Sequence, residues 1–279
     1  MGCGVLIYLY IDIYININNN RIVFERAAKE SVEIFHLLFL AQLSRKLDKS
    51  LFAVKGGCNL RFFLGSVRYS EDLDLDIQVT APETLRKKVG GILDGASLRA
   101  VLEIKNIAIL RVFEPKQTET TQRWKLALRA PGYGEGVQTK IEFSRRGLSE
   151  HREVGPVDPL LIRRYGLAPV LMPHYRPEEA FRQKLRALSG RAQAQAQAQA
   201  RDLFDIALLL DSGVRAKEAI EGFDFPIEEA RAAALSLDFS DFKGQVGAYL
   251  DPDDLKVYDS PEVWDALVRR VVAQLDAET

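Results

Sequence analysis

The spacing of apolar residues changes several times along the chain, and each spacing predicts a different element. Over residues 22–47 apolar side chains recur every three or four positions, which predicts a long helix. Residues 51–54 form a short apolar run typical of a buried strand, and we expect residues 59–64 to form a short helix after a glycine turn. Residues 73–79 alternate between aliphatic and polar side chains, which predicts a strand that buries one face.

The next part of the chain is rich in strand patterns, and the last part is helical. Residues 82–93 have a helical pattern with a proline in the first turn. Residues 107–113, 123–129 and 137–144 are three runs typical of strands. From about residue 159 the pattern becomes helical and remains so to the end of the chain.

This order of elements predicts an α/β (α+β) fold. We expect a mixed β-sheet flanked by helices over residues 21–150, followed by a mainly helical C-terminal domain over residues 151–279. Residues 1–20 are expected to be a non-core extension. Their alternation favours β structure, and the stretch is too short and interrupted to span a bilayer. Residues 192–200 alternate alanine with glutamine and build no core-facing stripe, so we expect a passive repeat that extends a helix or acts as a semi-flexible spacer.

Composition argues against a strongly basic nucleic-acid-binding protein, a disulfide-rich protein and a membrane-spanning protein. The chain has 279 residues and a formal net charge of −1, so binding to RNA would require a local basic patch. Cys3 and Cys58 suggest neither a disulfide framework nor a metal site, which fits a reducing, cytoplasmic compartment. His36, His151 and His174 lack the spacing of metal ligands and are expected to be surface or core residues. No stretch is a membrane span, so a soluble protein is expected.

A glycine pair followed by a row of acids carries the chemistry. Gly56 and Gly57 precede Asp72, Asp74 and Asp76, and the three acids alternate with aliphatic residues. On a strand the acids share one face, where like charges raise each other's pKa and a divalent cation would relieve the repulsion. Glycines upstream let backbone N–H groups approach a phosphate. The alternative is a half-exposed strand with a solvated acidic face.

These residues resemble a known superfamily. Gly56-Gly57 followed at this spacing by Asp72-Leu73-Asp74 is similar to the motif of the DNA polymerase β-like nucleotidyltransferases. The longer stretches 55–61 and 68–74 resemble one branch of it, the AbiEii/MenT-like nucleotidyltransferase toxins of bacterial toxin–antitoxin systems.

The resemblance assigns roles to particular residues. It implies that Asp72 and Asp74 are metal ligands, whereas Asp76 is a supporting or surface acid. Cys58 stands where the superfamily usually has serine or threonine, and a thiol is a weaker donor than a hydroxyl. The implied nucleotide-binding residues are Lys55, Gly56, Gly57, Cys58, Arg68, Ser70 and Lys184.

A third carboxylate is expected from a neighbouring strand. Glu142 lies on the polar face of the run at residues 137–144, and Lys140-Ile141-Glu142 matches the Lys-x-Asp/Glu element of the branch. The resemblance implies that Glu142 binds metal or deprotonates the acceptor hydroxyl. From the pattern alone, an ordinary surface Lys/Glu pair is the alternative.

Two further elements complete the predicted site. Lys184 shares or borders the apolar face of a helix at residues 177–188, so it either snorkels to water or meets an anion such as a nucleotide phosphate. Asp202 and Asp205 lie three residues apart on one helix face. The resemblance implies that Asp202 is a functional acid that orients Lys184 or a metal-bound water. Asp205 has the same role, or caps or solvates its helix.

The resemblance implies transfer of a nucleoside monophosphate from an NTP to a hydroxyl group, with Mg²⁺ or Mn²⁺ as cofactor and pyrophosphate released. It also implies the 3′ end of tRNA as acceptor and a cognate DNA-binding antitoxin of winged-helix type as partner. Two alternatives remain. One is nucleotidyl transfer to a protein or small-molecule hydroxyl, and the other is a non-catalytic descendant that binds a nucleotide or a partner.

Overall fold

A computed structural model describes residues 3–193 and 198–276, with side chains described from residue 25 onward except for residues 133–135 and 191–193. The fold contains one sheet, and the helices precede, alternate with and follow its strands along the chain. The helices are α1 (Cys3–Lys46), α2 (Gly56–Phe63), α3 (Pro82–Leu93), α4 (Ala96–Ile104), α5 (Pro159–Tyr165), α6 (Pro177–Gln193), α7 (Ala200–Asp211), α8 (Ala216–Ile220), α9 (Ile227–Leu235), α10 (Phe239–Gln245), α11 (Pro252–Tyr258) and α12 (Pro261–Asp276).

The described strands form a mixed sheet in the order β3-β4-β5-β2-β1-β7-β6. β2 pairs in parallel with β5 and β1 in parallel with β7, whereas the other neighbours are antiparallel. The central position of β2 places its acids between β1, which leads into the glycine turn, and β5, which carries Glu142. The strands are β1 (Phe52–Lys55), β2 (Asp72–Ile77), β3 (Ala108–Gln117), β4 (Thr121–Ala130), β5 (Tyr133–Ser144), β6 (Arg152–Pro156) and β7 (Leu171–Tyr175).

Two buried apolar clusters meet at α2. The first packs α1, α3 and α4 against the sheet, and the second joins α6, α7, α9, α10 and α12. Cys58 and Phe62 of α2 belong to the first cluster, whereas Leu60 belongs to the second. The glycine turn that opens α2 therefore lies where the sheet and the C-terminal helices come together.

Most predicted elements occur with shifted ends. The helix α3 has the predicted bounds, and α2 begins at Gly56 rather than at residue 59. The expectation of uninterrupted helix beyond residue 159 is wrong, because β7 follows α5 and pairs with β1 and β6. The segment 171–175 is only five residues long and contains a proline, so its sequence gives no clear strand pattern. Its pairing with other strands, which makes it a strand, cannot be read from the segment itself. The division into domains at residue 150 stays a prediction.

The β structure expected for residues 5–20 is also wrong. These residues continue the helix α1, which runs from Cys3 to Lys46. A strand needs a partner to satisfy its backbone groups, whereas an established helix adds one hydrogen bond for each residue that joins it. Among the described residues, none of the helices combines the length and apolar character needed to cross a membrane.

The repeat at residues 192–200 does not form one continuous helix. Helix α6 ends at Gln193, and α7 begins at Ala200 after Gln199, whose backbone is extended (φ −114°, ψ 119°). A single helix running through the repeat is therefore excluded, and residues 194–197 lie outside the described part of the chain.

Candidate active site

The glycine pair allows the turn into α2 to approach the acid-bearing segment. Gly56 has φ +66°, a conformation that favours glycine, and a Cβ added there would lie 3.2 Å from Oδ2 of Asp74. A Cβ at Gly57 would lie 2.7 Å from Oγ of Ser70, which is too close for any real side chain. The backbone of Gly56 therefore favours glycine, and a side chain at Gly57 would force Ser70 to shift.

The acids of β2 and β5 lie side by side as the alternation predicts. Asp74 is paired in register with Glu142, and Asp72 is paired with Lys140. The intervening Leu73 is fully buried on the opposite face of the strand. The three carboxylates line one cavity of about 340 Å³, together with both glycines.

Lys184 reaches this cavity from the helical part of the chain. Its ammonium lies 2.9 Å from Oδ1 of Asp202 and 2.7 Å from Oδ2 of Asp205, and its side chain is only 12% exposed. Snorkelling does not describe this lysine, because the ammonium ends at two carboxylates rather than in bulk water. Burial alone would lower the pKa of Lys184, but Asp202 and Asp205 raise it above the usual value, so the lysine is a cation at neutral pH.

All of these groups lie within the part of the chain that matches one protein-family model. The sequence model of the family described as "Nucleotidyl transferase AbiEii toxin, Type IV TA system" matches residues 38–270, which include every group named above. The chain belongs to this family. It is therefore a nucleotidyltransferase of the toxin–antitoxin type, and the resemblance inferred from the glycines and aspartates is confirmed.

Solved structures share the AbiEii chain's fold. The structure of JHP933 from Helicobacter pylori is 20% identical, with a TM-score of 0.54, and the match covers 88% of this chain and 93% of that chain. MenT4, a nucleotidyltransferase toxin from Mycobacterium tuberculosis, is 22% identical with a TM-score of 0.55, and the match covers 91% of this chain and 88% of that chain. At such identities the likeness establishes the α/β fold alone. No curated protein sequence matches the chain.

Asp74 differs from the other carboxylates of this AbiEii site in its raised pKa and in its lack of a close basic partner among the described residues. Burial raises its pKa, Lys140 opposes that effect, and the neighbouring charge of Asp72 adds to it. Among the described residues, none donates a hydrogen bond to the Asp74 carboxylate or forms an ion pair with it. Asp74 is half-buried, and an anion partly withdrawn from water without a close partner is costly, so the site favours a ligand that brings positive charge.

The other two acids already have basic partners. Nζ of Lys140 lies 3.0 Å from Oδ2 of Asp72 and 3.9 Å from Oε2 of Glu142, and Nε of Arg123 lies 2.5 Å from the same oxygen of Glu142. Burial alone would lower the pKa of Lys140, but Asp74 and Asp72 raise it. Lys140 therefore acts as a tethered counter-charge for the acid row.

The donor set fits a hard divalent cation held by two carboxylates. Mg²⁺ binds through one or two carboxylates plus substrate phosphates, and Asp72 and Asp74 supply such oxygens beside the space that Gly56 leaves open. Within the described residues, no three His, Cys, Asp or Glu side chains are grouped closely enough to hold a metal ion. Glu142 as a third ligand therefore stays a prediction.

Arg68 and Asp205 connect the core to the C-terminal helices. Arg68 donates to both carboxylate oxygens of Asp205, with N···O distances of 3.1 and 2.7 Å, and both side chains are buried. Burial alone would raise the pKa of Asp205, but Arg68 and Lys184 hold it below its usual value of 3.8. Asp205 thus anchors two cations that line the cavity, and the alternative of a solvated surface acid is wrong.

Two predicted nucleotide-binding residues turn toward the protein. The Cys58 thiol is fully buried and donates to the carbonyl of Asp72 at 3.2 Å, so its side chain does not line the cavity. The Ser70 hydroxyl lines the cavity but donates to the same carbonyl at 2.9 Å. A nucleotide contact from Cys58 would have to come from its backbone, which stays a prediction.

A second, larger cavity adjoins the first. It has a volume of about 890 Å³, and Arg146 and Arg186 are among the residues that line it. Lys55, Gly56, Asp74, Lys184 and Asp202 line both cavities. The site therefore has two connected compartments, with Asp74 where they meet.

Some residues that line the smaller cavity were not predicted from the sequence. Arg201, Gln245 and Tyr249 belong to it, and Tyr249 also donates a hydrogen bond to Glu71. Arg201 stands inside the motif that contains Asp202, which was an available signal. Gln245 and Tyr249 had none, because only tertiary packing brings the chain near residue 247 back to the core.

Proposed function

We propose that this AbiEii-family protein transfers a nucleoside monophosphate from an NTP to the 3′-terminal hydroxyl of a tRNA with Mg²⁺ as cofactor. The observation that carries this proposal is the meeting of Asp72 and Asp74 with the glycine turn and Lys184 around connected cavities. In the reaction, the acceptor oxygen forms a bond to the α-phosphorus, and the bond from that phosphorus to the oxygen bridging to the β-phosphate breaks. The hydroxyl proton is released, and pyrophosphate leaves with the electron pair.

In this proposal, some residues of the chain hold the metal ion and others bind the phosphates of the NTP. Mg²⁺ bound to Asp72 and Asp74 would supply Lewis-acid stabilisation of charge on the transferred phosphoryl group and the leaving group. Lys184 is held as a cation by Asp202 and Asp205, where it can bind a phosphate oxygen. The unused N–H groups of the first turn of α2 favour an anion beside Gly56 and Gly57.

Glu142 is the carboxylate proposed to serve the acceptor. It lies beside Asp74 on the next strand, and Arg123 fixes one of its oxygens. In that role it either completes the metal site or accepts the proton of the attacking hydroxyl, a contribution typically worth about 10²–10⁴ in rate. These two roles differ in their metal dependence: a lost ligand raises the Mg²⁺ concentration needed for half-maximal rate in Glu142→Gln, whereas a lost base lowers the rate at saturating Mg²⁺.

The test is an incubation of the purified protein with each α-labelled NTP and separate pools of tRNA, protein and small hydroxyl compounds. We expect label on tRNA, in the presence of Mg²⁺ and not with EDTA. Label found only in the 3′-terminal fragment after mild RNase digestion of the tRNA would confirm the position of the added nucleotide. Label on protein or on a small molecule would replace the acceptor, and NTP binding without transfer to any pool would indicate a non-catalytic protein.

We also propose a winged-helix DNA-binding antitoxin as the partner. The family description places AbiEii proteins in toxin–antitoxin systems, which supports an antitoxin but not its type. Sequencing the gene directly upstream and co-expressing its product tests the proposal. We expect a small winged-helix regulator that suppresses the growth defect caused by this chain, whereas a neighbour without such a domain, or without protective effect, would refute it.

A further inference from the structure

Three adjacent strands place Lys55, Asp76 and Tyr175 in one hydrogen-bonded chain. Nζ of Lys55 lies 2.6 Å from Oδ1 of Asp76, and the Tyr175 hydroxyl donates to Oδ2 of the same carboxylate at 2.8 Å. Lys55 belongs to β1, Asp76 to β2 on one side and Tyr175 to β7 on the other. Since Ala53 is the register partner of Asp76, the lysine reaches the carboxylate diagonally across the strand pair.

The arrangement fixes the carboxylate more firmly than the lysine. The Asp76 side chain is 10% exposed, and each of its oxygens accepts one of the two contacts. The Lys55 side chain is 27% exposed and lines both cavities. An ammonium has three donors, and Asp76 takes one of them, so two remain for an anion in the cavity.

We propose that Asp76 and Tyr175 are positioning residues that hold the Lys55 ammonium where the two cavities meet, so that it binds the polyphosphate of the NTP. This inference rests on the proposed function and adds residues outside the two predicted metal ligands. Of the two roles expected for Asp76, a supporting acid or a surface acid, this inference selects the first. The Tyr175 hydroxyl keeps the carboxylate from rotating away when a phosphate competes for the lysine.

A double-mutant cycle tests whether Asp76 acts through Lys55. The dissociation constant of each Mg·NTP is measured by calorimetry for the wild type, Lys55→Met, Asp76→Asn and the double variant, alongside KM and kcat. We expect Asp76→Asn and Lys55→Met each to weaken NTP binding by about tenfold, the loss of one charge-assisted contact, with KM rising more than kcat falls. In the Lys55→Met background, Asp76→Asn should have no further effect on NTP affinity.

Matched controls separate positioning from simple destabilisation. Glu33→Gln removes another buried carboxylate that pairs with an arginine, Arg61 at 2.7 Å, away from both cavities. It should lower the melting temperature without changing NTP affinity. Tyr175→Phe keeps both charges and should weaken NTP binding by a smaller factor than Asp76→Asn, with a stable fold.

The outcomes distinguish this inference from the proposed function. Equal NTP affinity in the wild type and Asp76→Asn, or additive losses in the double variant, would overturn the positioning role while leaving transfer to tRNA intact. Coupled losses of affinity in a protein that labels no acceptor would support the positioning role and refute the proposed reaction. A wild type that binds no NTP would overturn both.

Discussion

The two sides of the smaller cavity differ in how their charges are balanced. On the strand side, Asp72, Asp74 and Glu142 face two basic side chains, Lys140 and Arg123. Among the described residues, the side-chain carboxylate of Asp74 has neither an ion pair nor a hydrogen bond. On the helix side, Asp202 and Asp205 face Lys184 and Arg68 in a buried network. The strand side is therefore built to receive a cation, whereas the helix side is already neutralised and holds its lysine in place.

The largest expected effect follows from removing the unpaired acid. Asp74→Asn should reduce transfer by at least about a hundredfold, since it removes a charge aimed at the reacting centre. Because burial disfavours the charged form of Asp74 and raises its pKa, the melting temperature of the metal-free variant should hold or rise. Radiolabel transfer and calorimetry measure the two quantities.

Asp72→Asn should show the same separation of activity from stability, and Asp76→Asn should be much milder in kcat. Full activity in either Asp74→Asn or Asp72→Asn would refute their assignment as metal ligands. A loss in Asp76→Asn as large as that in Asp74→Asn would mean that a different pair of acids holds the metal.

Removing the lysine of the helix side should affect both activity and stability. Lys184→Ala is expected to weaken NTP binding or turnover by at least about tenfold, the loss of one charge-assisted phosphate contact. It should also lower the free energy of unfolding, because Asp202 and Asp205 lose a buried counter-charge. Steady-state kinetics and denaturant unfolding measure the two effects.

Lys184→Met keeps the aliphatic stem and removes only the charge. We expect it to resemble Lys184→Ala in NTP affinity. Normal kinetics in Lys184→Met would show that packing, and not the ammonium, accounts for the role of this position.

The helix side should also make stability depend on pH. Arg68 and Lys184 hold the pKa of Asp205 below 3.8, although burial alone would raise it. A depressed carboxyl pKa stabilises the fold above the unfolded value, and the contribution is lost as pH falls through the folded value. The melting temperature of the wild type should therefore exceed that of Asp205→Asn at pH 7, with the difference shrinking below about pH 4.

Glu33→Gln is the comparison variant for the melting temperatures of this pH series, since it breaks a different buried ion pair, the one between Glu33 and Arg61. A difference between wild type and Asp205→Asn that stays constant from pH 7 to pH 3 would contradict the assignment of the effect to the Asp205 carboxylate.

The smallest expected effect concerns the turn behind the acid row. Cys58→Ser should change activity by no more than about twofold, because a hydroxyl can replace the thiol as donor to the Asp72 carbonyl without entering the cavity. Stability should fall slightly, since a more polar group is buried. An activity gain of about tenfold would instead indicate that the hydroxyl reaches a phosphate.

The sequence alone was enough to predict which strand faces carry the acids of the strand side. Alternation fixed which faces of β2 and β5 carry Asp72, Asp74 and Glu142, because a strand repeats every two residues and a buried face must be apolar. The glycine pair was likewise visible in the sequence, and the left-handed backbone at Gly56 is a conformation that favours glycine. These features depend on local geometry, and a single segment contains the information for them.

Tertiary structure decided the rest. The partners of Asp205 are Arg68, 137 positions earlier, and Lys184, and no periodicity relates them. The strand β7, which supplies Tyr175, exists because it pairs with β1 and β6. Charges find partners, and short segments become strands, only when packing brings distant parts of the chain together, since buried charges and backbone groups must be satisfied wherever the fold places them.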